Sequence, residues 1–333
     1  MKLIIPMAGA GKRMRPHTLT TPKPLIPVAG KPMVQHLVED ICAMSQEKVE
    51  EIGFVIGHFG KEAEESLLQI AEKAGATGRI FYQEEALGTA HAVLCADYML
   101  KGKLIVAFAD TLFRGKVTID DNQDGTIWVQ KVEDPKPFGV VKLDNNNFIT
   151  DFIEKPQEFV SDLAIIGIYY FKDGDYLKKE MQYLIDNNIK EKGEYQLTNA
   201  LENMKRKGTK FTVAHVTEWL DCGNKDATLF TNRRMLETKP QKKVSPSTRV
   251  ENSTIIQPCY LHDGATIKNS VVGPYVAVGQ GTSIENSVIT DSIVQGNCKI
   301  INANIAQSIV GNNVLYNGKP EILNLGDYSQ YTN

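Results

Sequence analysis

The sequence predicts an α/β fold followed by a small parallel β-helix, and three observations indicate this order. The chain has 333 residues, more than one domain usually contains. Over its first 220 residues, short β-rich runs alternate with amphipathic helical stretches, a pattern typical of a mixed, mainly parallel sheet covered by helices on both faces. After residue 250, a motif opened by asparagine recurs at intervals of 17, 17 and 16 residues.

Local hydrophobic patterns predict the elements of the first part. The run KLIIP at residues 2–6 predicts the first strand, and apolar residues between Val34 and Ile41 then recur at helical spacing. Two further stretches have helical periodicity, 62–74 and 89–100. Because ligands of such sheets bind at the carboxyl ends of the strands, the residues that follow a strand are candidates for function. The other candidate strands are 51–57, 79–83, 103–110, 126–132, 165–171 and 211–216.

The second part is identified by its repeat. Aliphatic residues recur every five or six positions, three times in each copy, a period typical of a parallel β-helix built from hexapeptide units. It resembles the left-handed β-helix of hexapeptide-repeat proteins; a β-sandwich with short strands is the alternative that the regular recurrence disfavours. The polar segment 239–248 contains two prolines and predicts a linker, so we expect one domain over 1–240 and the β-helix over 241–333. The predicted inward-facing residues are Ile255, Leu261, Ile267, Val272, Val278, Ile284, Ile289, Val294, Ile300, Ile305 and Val310.

Composition and charge argue against several classes of protein. The formal net charge of −3 is unlike that of a general nucleic-acid binder, which needs a basic surface. The longest apolar run, 163–171, is about half of a membrane-spanning helix, and the first residues lack a signal-peptide pattern. The five cysteines are scattered without CxxC spacing, so neither a disulfide framework nor a zinc site is indicated. We expect a cytoplasmic protein without nucleic-acid or membrane partners.

A glycine-rich, basic loop at residues 6–32 carries the strongest functional signal. Gly9 and Gly11 let the backbone approach a phosphate closely, and four cations follow within 12 residues: Lys12, Arg13, Arg15 and Lys23. A Walker A loop is excluded because it needs glycine where Pro6 stands, and Arg13 replaces its Ser or Thr. A dinucleotide-binding fingerprint is excluded because it needs glycine where Met14 stands. The spacing favours a triphosphate-binding loop over a generic basic loop.

This loop resembles the signature of the sugar-nucleotide pyrophosphorylase family, which runs G-x-G-T-R-L-x-P and then P-K-P-L-x-P. The resemblance implies a Rossmann-like catalytic domain in which Gly9, Gly11 and Arg13 hold the triphosphate. It further implies that Arg13 stabilises the departing pyrophosphate and that Lys23 neutralises charge around the reacting phosphorus. Lys12 stands where the family usually has threonine, which leaves its role in nucleotide binding open.

The segment QEEALGTAHAV, residues 83–93, predicts the base-binding part of the nucleotide site. An amide side chain donates to one edge atom of a base and accepts from the next, which suits a pyrimidine imide. By the same family resemblance, Gln83 and Gly88 read the base of dTTP or UTP, and Thr89 begins a helix beside them. The alternative is a surface glutamine before a helix N-cap, which the loop upstream disfavours.

Two aspartates predict a metal site. Asp110 ends the strand-like run LIVAFAD, and Asp221 lies in EWLDCGN after another strand-like run. Hard oxygen ligands on separate elements, with substrate phosphates filling the remaining positions, suit Mg²⁺. Either aspartate alone is more typical of a cap or turn, but both match positions of the family pattern, which implies that they bind the metal.

The family resemblance also places the sugar-phosphate site. It implies that Glu154 binds sugar hydroxyls and that Lys155 binds the 1-phosphate, which agrees with the point charge of a lysine ammonium. Gly139 and Gly167 are expected to let the chain pack against the sugar, and Glu194 to contact it. Structural roles are an open alternative for Gly167 and Glu194.

The predicted reaction joins a nucleoside triphosphate to a sugar 1-phosphate and releases pyrophosphate. The chain layout resembles the long-form glucose-1-phosphate thymidylyltransferases, which favours dTTP or UTP with glucose 1-phosphate. A GTP-dependent mannose-1-phosphate guanylyltransferase and a bifunctional nucleotidyl- and acyltransferase are the alternatives. His262 is the one candidate general base for acyl transfer beyond residue 215. A catalytically silent binding subunit is disfavoured by the retained charged residues, and the β-helix is interpreted as an element of homo-oligomer assembly.

Overall fold

The computed structural model describes residues 1–115, 119, 122–238, 247–319 and 326–330. Contacts divide the chain into two compact units, one of residues 1–26 and 31–227 and the other of residues 27–30 and 228–333. The predicted boundary at residue 240 and most of the predicted linker at 239–248 fall outside the described residues. That boundary therefore stays a prediction.

The elements of the first part follow the predicted alternation of strands and helices. The helices are α1 (Met33–Met44), α2 (Lys61–Lys73), α3 (Thr89–Leu94), α4 (Gly174–Asp186), α5 (Leu197–Arg206) and α6 (Lys225–Thr238). The strands are β1 (Lys2–Pro6), β2 (Pro27–Val28), β3 (Lys31–Pro32), β4 (Glu51–Ile56), β5 (Thr77–Tyr82), β6 (Leu104–Ala107), β7 (Thr111–Arg114), β8 (Gly125–Lys131), β9 (Gly139–Leu143), β10 (Ile149–Glu154), β11 (Leu163–Phe171), β12 (Phe211–His215) and β13 (Glu218–Asp221).

A nine-stranded mixed sheet forms the centre of the first unit. Its order is β10-β9-β11-β6-β1-β4-β5, and β8 pairs with both β11 and β12. Strands β6, β1, β4 and β5 are parallel, whereas β11 runs antiparallel to β6, β8 and β9. The predicted mixed α/β sheet is confirmed. The parallel strands are buried and almost continuously aliphatic, as expected for strands covered on both faces.

One predicted helix and one predicted strand are shorter than the sequence pattern indicates. The helix predicted over 89–100 ends at Leu94 and is followed by a 3₁₀ turn, Asp97–Met99. Both pieces bury residues at similar spacing, so periodicity does not separate them. The strand predicted to run to Asp110 ends at Ala107, because the Phe108 N–H bonds to the Gly167 carbonyl (2.9 Å) and the chain bends away. Asp110 therefore lies in the bend between β6 and β7.

The second part forms three parallel sheets, as a β-helix requires. Its strands are β14 (Arg249–Glu251), β15 (Thr254–Ile255), β16 (Cys259–Leu261), β17 (Thr266–Lys268), β18 (Val271–Val272), β19 (Val276–Val278), β20 (Ser283–Glu285), β21 (Val288–Thr290), β22 (Ile293–Val294), β23 (Lys299–Ile301), β24 (Asn304–Ala306), β25 (Ile309–Val310) and β26 (Leu315–Asn317). Every third strand joins the same sheet, giving the orders β14-β17-β20-β23-β26, β15-β18-β21-β24 and β16-β19-β22-β25. This arrangement fits the predicted left-handed β-helix.

The repeated asparagines are explained by the corners of this β-helix. Asn252, Asn269, Asn286 and Asn302 all have positive φ, between 44° and 52°, a conformation that asparagine tolerates better than most residues. Their side-chain amides hydrogen-bond from one coil to the next at 2.9, 3.2 and 3.3 Å. The interval in the sequence is thus the length of one coil.

The aliphatic residues predicted to face inward form the core of the β-helix. Eight of the eleven are buried, and Ile255, Ile305 and Val310 are half-buried against them. We expect Ile284→Ala to lower the free energy of unfolding by about 2–5 kcal/mol, because the side chain is fully buried and its removal leaves a cavity. Urea unfolding of the full chain measures this. The matched control is Val288→Ala in the next strand, where 44% exposure predicts a loss of about 0.5 kcal/mol. Equal losses would contradict the assignment of the core.

Among the described residues, no helix has the length and apolar character needed to cross a membrane.

Candidate active site

A cavity of about 420 Å³ lies at the carboxyl ends of the parallel strands. Ten of the residues singled out in the sequence lie in its wall, so the fold brings together segments more than 180 residues apart. These ten are Gly9, Gly11, Lys12, Arg13, Lys23, Gln83, Gly88, Thr89, Asp110 and Glu194. The cavity is therefore the candidate active site.

The basic loop begins where β1 ends and forms one side of this cavity. Gly11 has φ +59°, and a Cβ there would lie 2.9 Å from the Thr18 side chain, so glycine is required for both conformation and space. The Thr18 hydroxyl donates to the Gly11 carbonyl at 2.9 Å, and Met14 is buried beneath the turn that follows. These contacts hold the backbone of the loop in place beside the basic side chains.

Lys23 and the two predicted metal-binding aspartates lie together. The Lys23 ammonium pairs with Asp110 Oδ2 at 2.6 Å, and its side chain is only 11% exposed. Strand β13 pairs with β7, and the Cys222 N–H donates to the Asp110 carbonyl at 3.1 Å, which brings Asp221 beside Asp110. Burial raises the pKa of the Asp221 carboxyl, and the Asp110 charge raises it further, whereas Lys23 and Arg13 lower it.

Gly223 keeps this cluster open. A Cβ at that position would lie 2.7 Å from Asp221 Oδ2 and 3.2 Å from Arg13 Nη2. Any larger residue would therefore displace the carboxylate or the guanidinium. Gly223 lies in the cavity wall and places Asp221 and Arg13 at its edge.

The donor set fits Mg²⁺. Two carboxylates lie close enough to repel each other, a condition that a bound cation relieves. Within the described ranges, no three acidic, His or Cys side chains group together as a metal site. Mg²⁺ needs no such cage, because it keeps waters and takes substrate phosphates as ligands beside one or two carboxylates.

Gln83 and Gly88 also line the cavity. Gln83 follows β5, and its Nε2 donates to the Gly88 carbonyl (3.2 Å) and lies 3.1 Å from His91 Nδ1. Gly88 has φ +115°, and a Cβ there would lie 2.6 Å from the Tyr195 carbonyl oxygen. Thr89 opens α3, where its hydroxyl donates to Gln196 Oε1 (3.1 Å) and accepts from the Leu197 N–H (2.8 Å).

We expect Gly88→Ala to lower kcat/KM for the nucleoside triphosphate by about 10²-fold, because the added Cβ meets main-chain atoms and shifts the cavity wall by a fraction of an ångström or more. Steady-state kinetics with varied nucleotide measures the effect. Gly102→Ala is the control, since Gly102 also has positive φ (+61°) but no atom lies within 4 Å of its added Cβ. Equal losses in both variants would show that backbone strain, not the close approach, is responsible.

The other residues predicted to bind the sugar phosphate form a neighbouring group on β9, β10 and β11. Gly139 pairs with Glu154 across β9 and β10, and a Cβ on it would lie 3.0 Å from Glu154 Oε2. The same oxygen accepts from the Thr198 hydroxyl at 3.3 Å. The Gly167 carbonyl accepts a hydrogen bond from the Phe108 N–H, and Phe108 lies in the cavity wall. Glu194, in the wall itself, accepts from Gln196 Nε2 at 3.0 Å.

Lys155 has an unusual backbone. Its φ is +46°, a left-handed conformation that costs a non-glycine residue about 1 kcal/mol. The Lys155 N–H donates to the Phe138 carbonyl, and the Lys192 ammonium bonds to the Lys155 carbonyl, both at 3.1 Å. The Lys155 ammonium lies 3.7 Å from Glu154 Oε1. Strain that the surroundings hold in place is typical of functional positions.

Several residues that the sequence did not single out support the site. Thr198 and Gln196 orient predicted sugar-site residues, and His91 contacts Gln83. Phe138 stacks edge-to-face on Trp219, with ring centroids 4.7 Å apart. No sequence pattern indicates these contacts, because they join residues whose separation has no periodicity. His91 at least lies within the motif that carries Gln83.

Comparison with known sequences identifies a family. The sequence model described as nucleotidyl transferase matches residues 2–238 of this chain. A low-salt glycan biosynthesis nucleotidyltransferase, Agl11 of Haloferax volcanii, is 30% identical over 93% of this chain and 92% of its own. A glucose-1-phosphate thymidylyltransferase of Streptomyces griseus is 27% identical over 99% of each chain. A protein of Methanococcus maripaludis named bifunctional protein GlmU is 29% identical over 98% of this chain and 84% of its own.

A solved structure shares the fold of most of this chain. The Bacillus anthracis protein described as a glucose-1-phosphate thymidylyltransferase superposes with a TM-score of 0.60 at 24% identity. The match covers 72% of this chain and 97% of the other.

Proposed function

The chain belongs to the nucleotidyl transferase family and is a sugar-1-phosphate nucleotidyltransferase, and on this premise we propose that it joins dTTP or UTP to glucose 1-phosphate. One observation carries the proposal. A single cavity is lined both by the charged cluster of Arg13, Lys23 and Asp110 and by Gln83 beside Gly88. The charged cluster suits the triphosphate of a nucleotide, and the amide of Gln83 suits its base.

The reaction needs no nucleophile from the protein. An oxygen of the sugar 1-phosphate attacks the α-phosphorus of the triphosphate, a new P–O bond forms, and the bond to the pyrophosphate oxygen breaks in line with it. The products are the nucleotide-sugar and pyrophosphate, and the leaving electron pair stays on pyrophosphate. The protein has to bring two anions together and stabilise the charge that grows on the leaving group.

The residues that line or border the cavity are assigned to substrate binding and charge stabilisation as follows. The amides around Gly9 and Gly11 bind the triphosphate, and Lys12 lies at the same wall. Arg13 stabilises the departing pyrophosphate, and Lys23 neutralises charge at the α-phosphorus. Lys155 holds the 1-phosphate, while Glu154 and Glu194 accept from sugar hydroxyls beside Gly139 and Gly167.

Mg²⁺ fits the carboxylates of Asp110 and Asp221 and, when bound, supplies positive charge to the phosphates. Lys23 already pairs with Asp110 at 2.6 Å, so the carboxylate fixes this ammonium beside the cavity. Asp221 is held by the β7–β13 pairing. The arrangement orients the triphosphate between cations and excludes a side chain at Gly223.

The specificity for base and sugar rests on Gln83 and on similarity to one relative. The amide of Gln83 supports a pyrimidine, and the Streptomyces griseus relative supports dTTP with glucose 1-phosphate. GTP with mannose 1-phosphate is the alternative within the same chemistry. A grid of dTTP, UTP, GTP and CTP against several sugar 1-phosphates, scored for pyrophosphate, tests the choice. Highest kcat/KM for dTTP or UTP with glucose 1-phosphate supports it, and highest kcat/KM for GTP with mannose 1-phosphate contradicts it.

Acyl transfer is the second candidate function, favoured by one observation in the β-helix. His262 Nδ1 is buried without a hydrogen-bond partner among the described residues and borders a cavity of about 280 Å³ with Gln280 and Asn297. The Methanococcus maripaludis relative is named a bifunctional protein. Consumption of acetyl-CoA that depends on His262 would establish this activity, and its absence with any amino-sugar phosphate would exclude it.

The protein is expected to act in the cytoplasm and to self-associate. Light scattering coupled to size-exclusion chromatography tests self-association, and a monomeric mass at micromolar concentration would contradict it.

A further inference from the structure

The side chain of Gln83 is engaged at its nitrogen. Its Nε2 lies 3.2 Å from the Gly88 carbonyl oxygen and 3.1 Å from His91 Nδ1. An amide nitrogen carries two hydrogens, so these two neighbours occupy both. Among the described residues, no protein partner accounts for the remaining polar atom, Oε1.

The Gly88 carbonyl determines which way the amide faces. A carbonyl oxygen accepts and never donates, so the amide nitrogen, not the amide oxygen, lies against it. His91 Nδ1 must then accept from the same nitrogen, which requires an imidazole that carries its proton on Nε2. The ring is thus neutral in this arrangement.

The surroundings of His91 agree with a neutral ring. Burial lowers its pKa, whereas the carboxylate and main-chain carbonyl of Glu85 favour the protonated form. Glu85 is the charged residue that acts on the pKa of this ring. Since burial outweighs Glu85, the ring is uncharged at neutral pH.

We propose that His91 is a positioning residue that locks the Gln83 amide with its oxygen towards the base, so that the site selects a pyrimidine that presents a ring N–H. This inference rests on the proposed function. The N3 of uracil or thymine donates to Oε1, whereas the N3 of cytosine is an acceptor and is repelled. Specificity then arises because cytosine would leave the Oε1 acceptor of Gln83 without a donor.

Protonation of His91 reverses the contact. Nδ1 then carries a hydrogen that points at the Nε2 hydrogen of Gln83, placing two donors 3.1 Å apart. If the Gln83 amide turns over, its oxygen faces the Gly88 carbonyl oxygen. Neither orientation of the amide therefore satisfies both the Gly88 carbonyl and a protonated His91. Selectivity is therefore present above the pKa of His91 and is lost as the pH falls through it.

The test compares nucleotides in the full-length protein. The measured quantity is kcat/KM for UTP divided by that for CTP, or for dTTP divided by dCTP, with glucose 1-phosphate at about pH 8 and about pH 5. Titration of the triphosphate cancels in the ratio, because both nucleotides carry the same triphosphate. Protonation of cytosine N3 at low pH affects the wild type and the variants alike, so they are compared with one another at each pH. Where turnover of the cytosine nucleotide is undetectable, its inhibition constant against the preferred nucleotide replaces kcat/KM.

Two variants separate positioning from simple packing. We expect His91→Leu to lower the ratio about fivefold at about pH 8, because one hydrogen bond to Gln83 is lost. The only pH dependence left in its ratio is the one that protonation of cytosine itself causes. His91→Asn places an oxygen near the Nδ1 position and cannot be protonated, so it keeps the wild-type ratio at about pH 8 and has a higher ratio than the wild type at about pH 5. The wild type falls to the ratio of His91→Leu, or below it, at about pH 5.

An unchanged ratio in His91→Leu overturns the inference, as does an equal loss of kcat/KM for both nucleotides, which indicates a merely structural role. A ratio in His91→Asn that falls at low pH as far as the wild-type ratio overturns the pH effect. These outcomes are distinct from failure of the proposed function, which shows as a wild type that releases no pyrophosphate from either UTP or dTTP.

Discussion

The Asp110→Asn variant is expected to release pyrophosphate about 10³-fold more slowly than the wild type. The substitution removes the charge that pairs with Lys23 at 2.6 Å and one of the two carboxylates that fit Mg²⁺. Loss of cation-based stabilisation of a phosphoryl transition state costs several kcal/mol, which corresponds to this factor. A continuous pyrophosphate assay measures kcat, and a Mg²⁺ titration of the same variant is expected to show weaker metal dependence.

Asp97→Asn is the matched control for this effect. Asp97 is an exposed aspartate that pairs with Lys178 at 3.2 Å, on elements away from the cavity wall. Its variant is expected to keep wild-type kcat, since exposed ion pairs contribute little. Turnover of Asp110→Asn within tenfold of the wild type, with an unchanged melting temperature, would contradict the role given to Asp110.

Lys155→Ala is expected to lower kcat/KM for the sugar 1-phosphate by about 10²- to 10³-fold. The ammonium is the cation assigned to the 1-phosphate, and without it the two anionic substrates repel each other as they meet. The KM for the nucleoside triphosphate is expected to change much less, because Lys155 lies outside the wall that carries the triphosphate loop. Initial rates with each substrate varied in turn separate the two effects.

Lys178→Ala serves as the control, because it removes a half-exposed lysine that pairs with Asp97 at 3.2 Å. We expect no change in either substrate's kcat/KM. Equal losses for both substrates in Lys155→Ala would indicate general disruption of β10. Near-normal kcat/KM for the sugar 1-phosphate would remove Lys155 from the site.

The sequence predicted the architecture well where the pattern is periodic. Inward residues of the β-helix such as Ile267 and Ile284 repeat once per coil, so their burial follows from spacing alone. The asparagine corners were visible as a repeat, but their left-handed conformation needed the structure. The ends of elements were less predictable, as at Ala107, because the bond from Phe108 to Gly167 joins segments 59 residues apart.

The candidate site was predicted where a motif carries several residues at fixed spacing. Gly11, Arg13 and Lys23 all lie in the cavity wall, as the loop pattern implied. Contacts between motifs could not be predicted in the same way. The Lys23–Asp110 pair, the His91–Gln83 contact and the packing of Gly88 against Tyr195 depend on how strands and helices meet.

The stoichiometry of products from dTTP or UTP with glucose 1-phosphate and Mg²⁺ tests whether the protein transfers a nucleotidyl group to the sugar phosphate. Pyrophosphate and nucleotide-sugar are quantified together by anion-exchange chromatography, with and without the sugar phosphate. We expect one pyrophosphate for each nucleotide-sugar and neither product when the sugar phosphate is omitted. Pyrophosphate released without the sugar phosphate, or no nucleotide-sugar with any triphosphate, would contradict it.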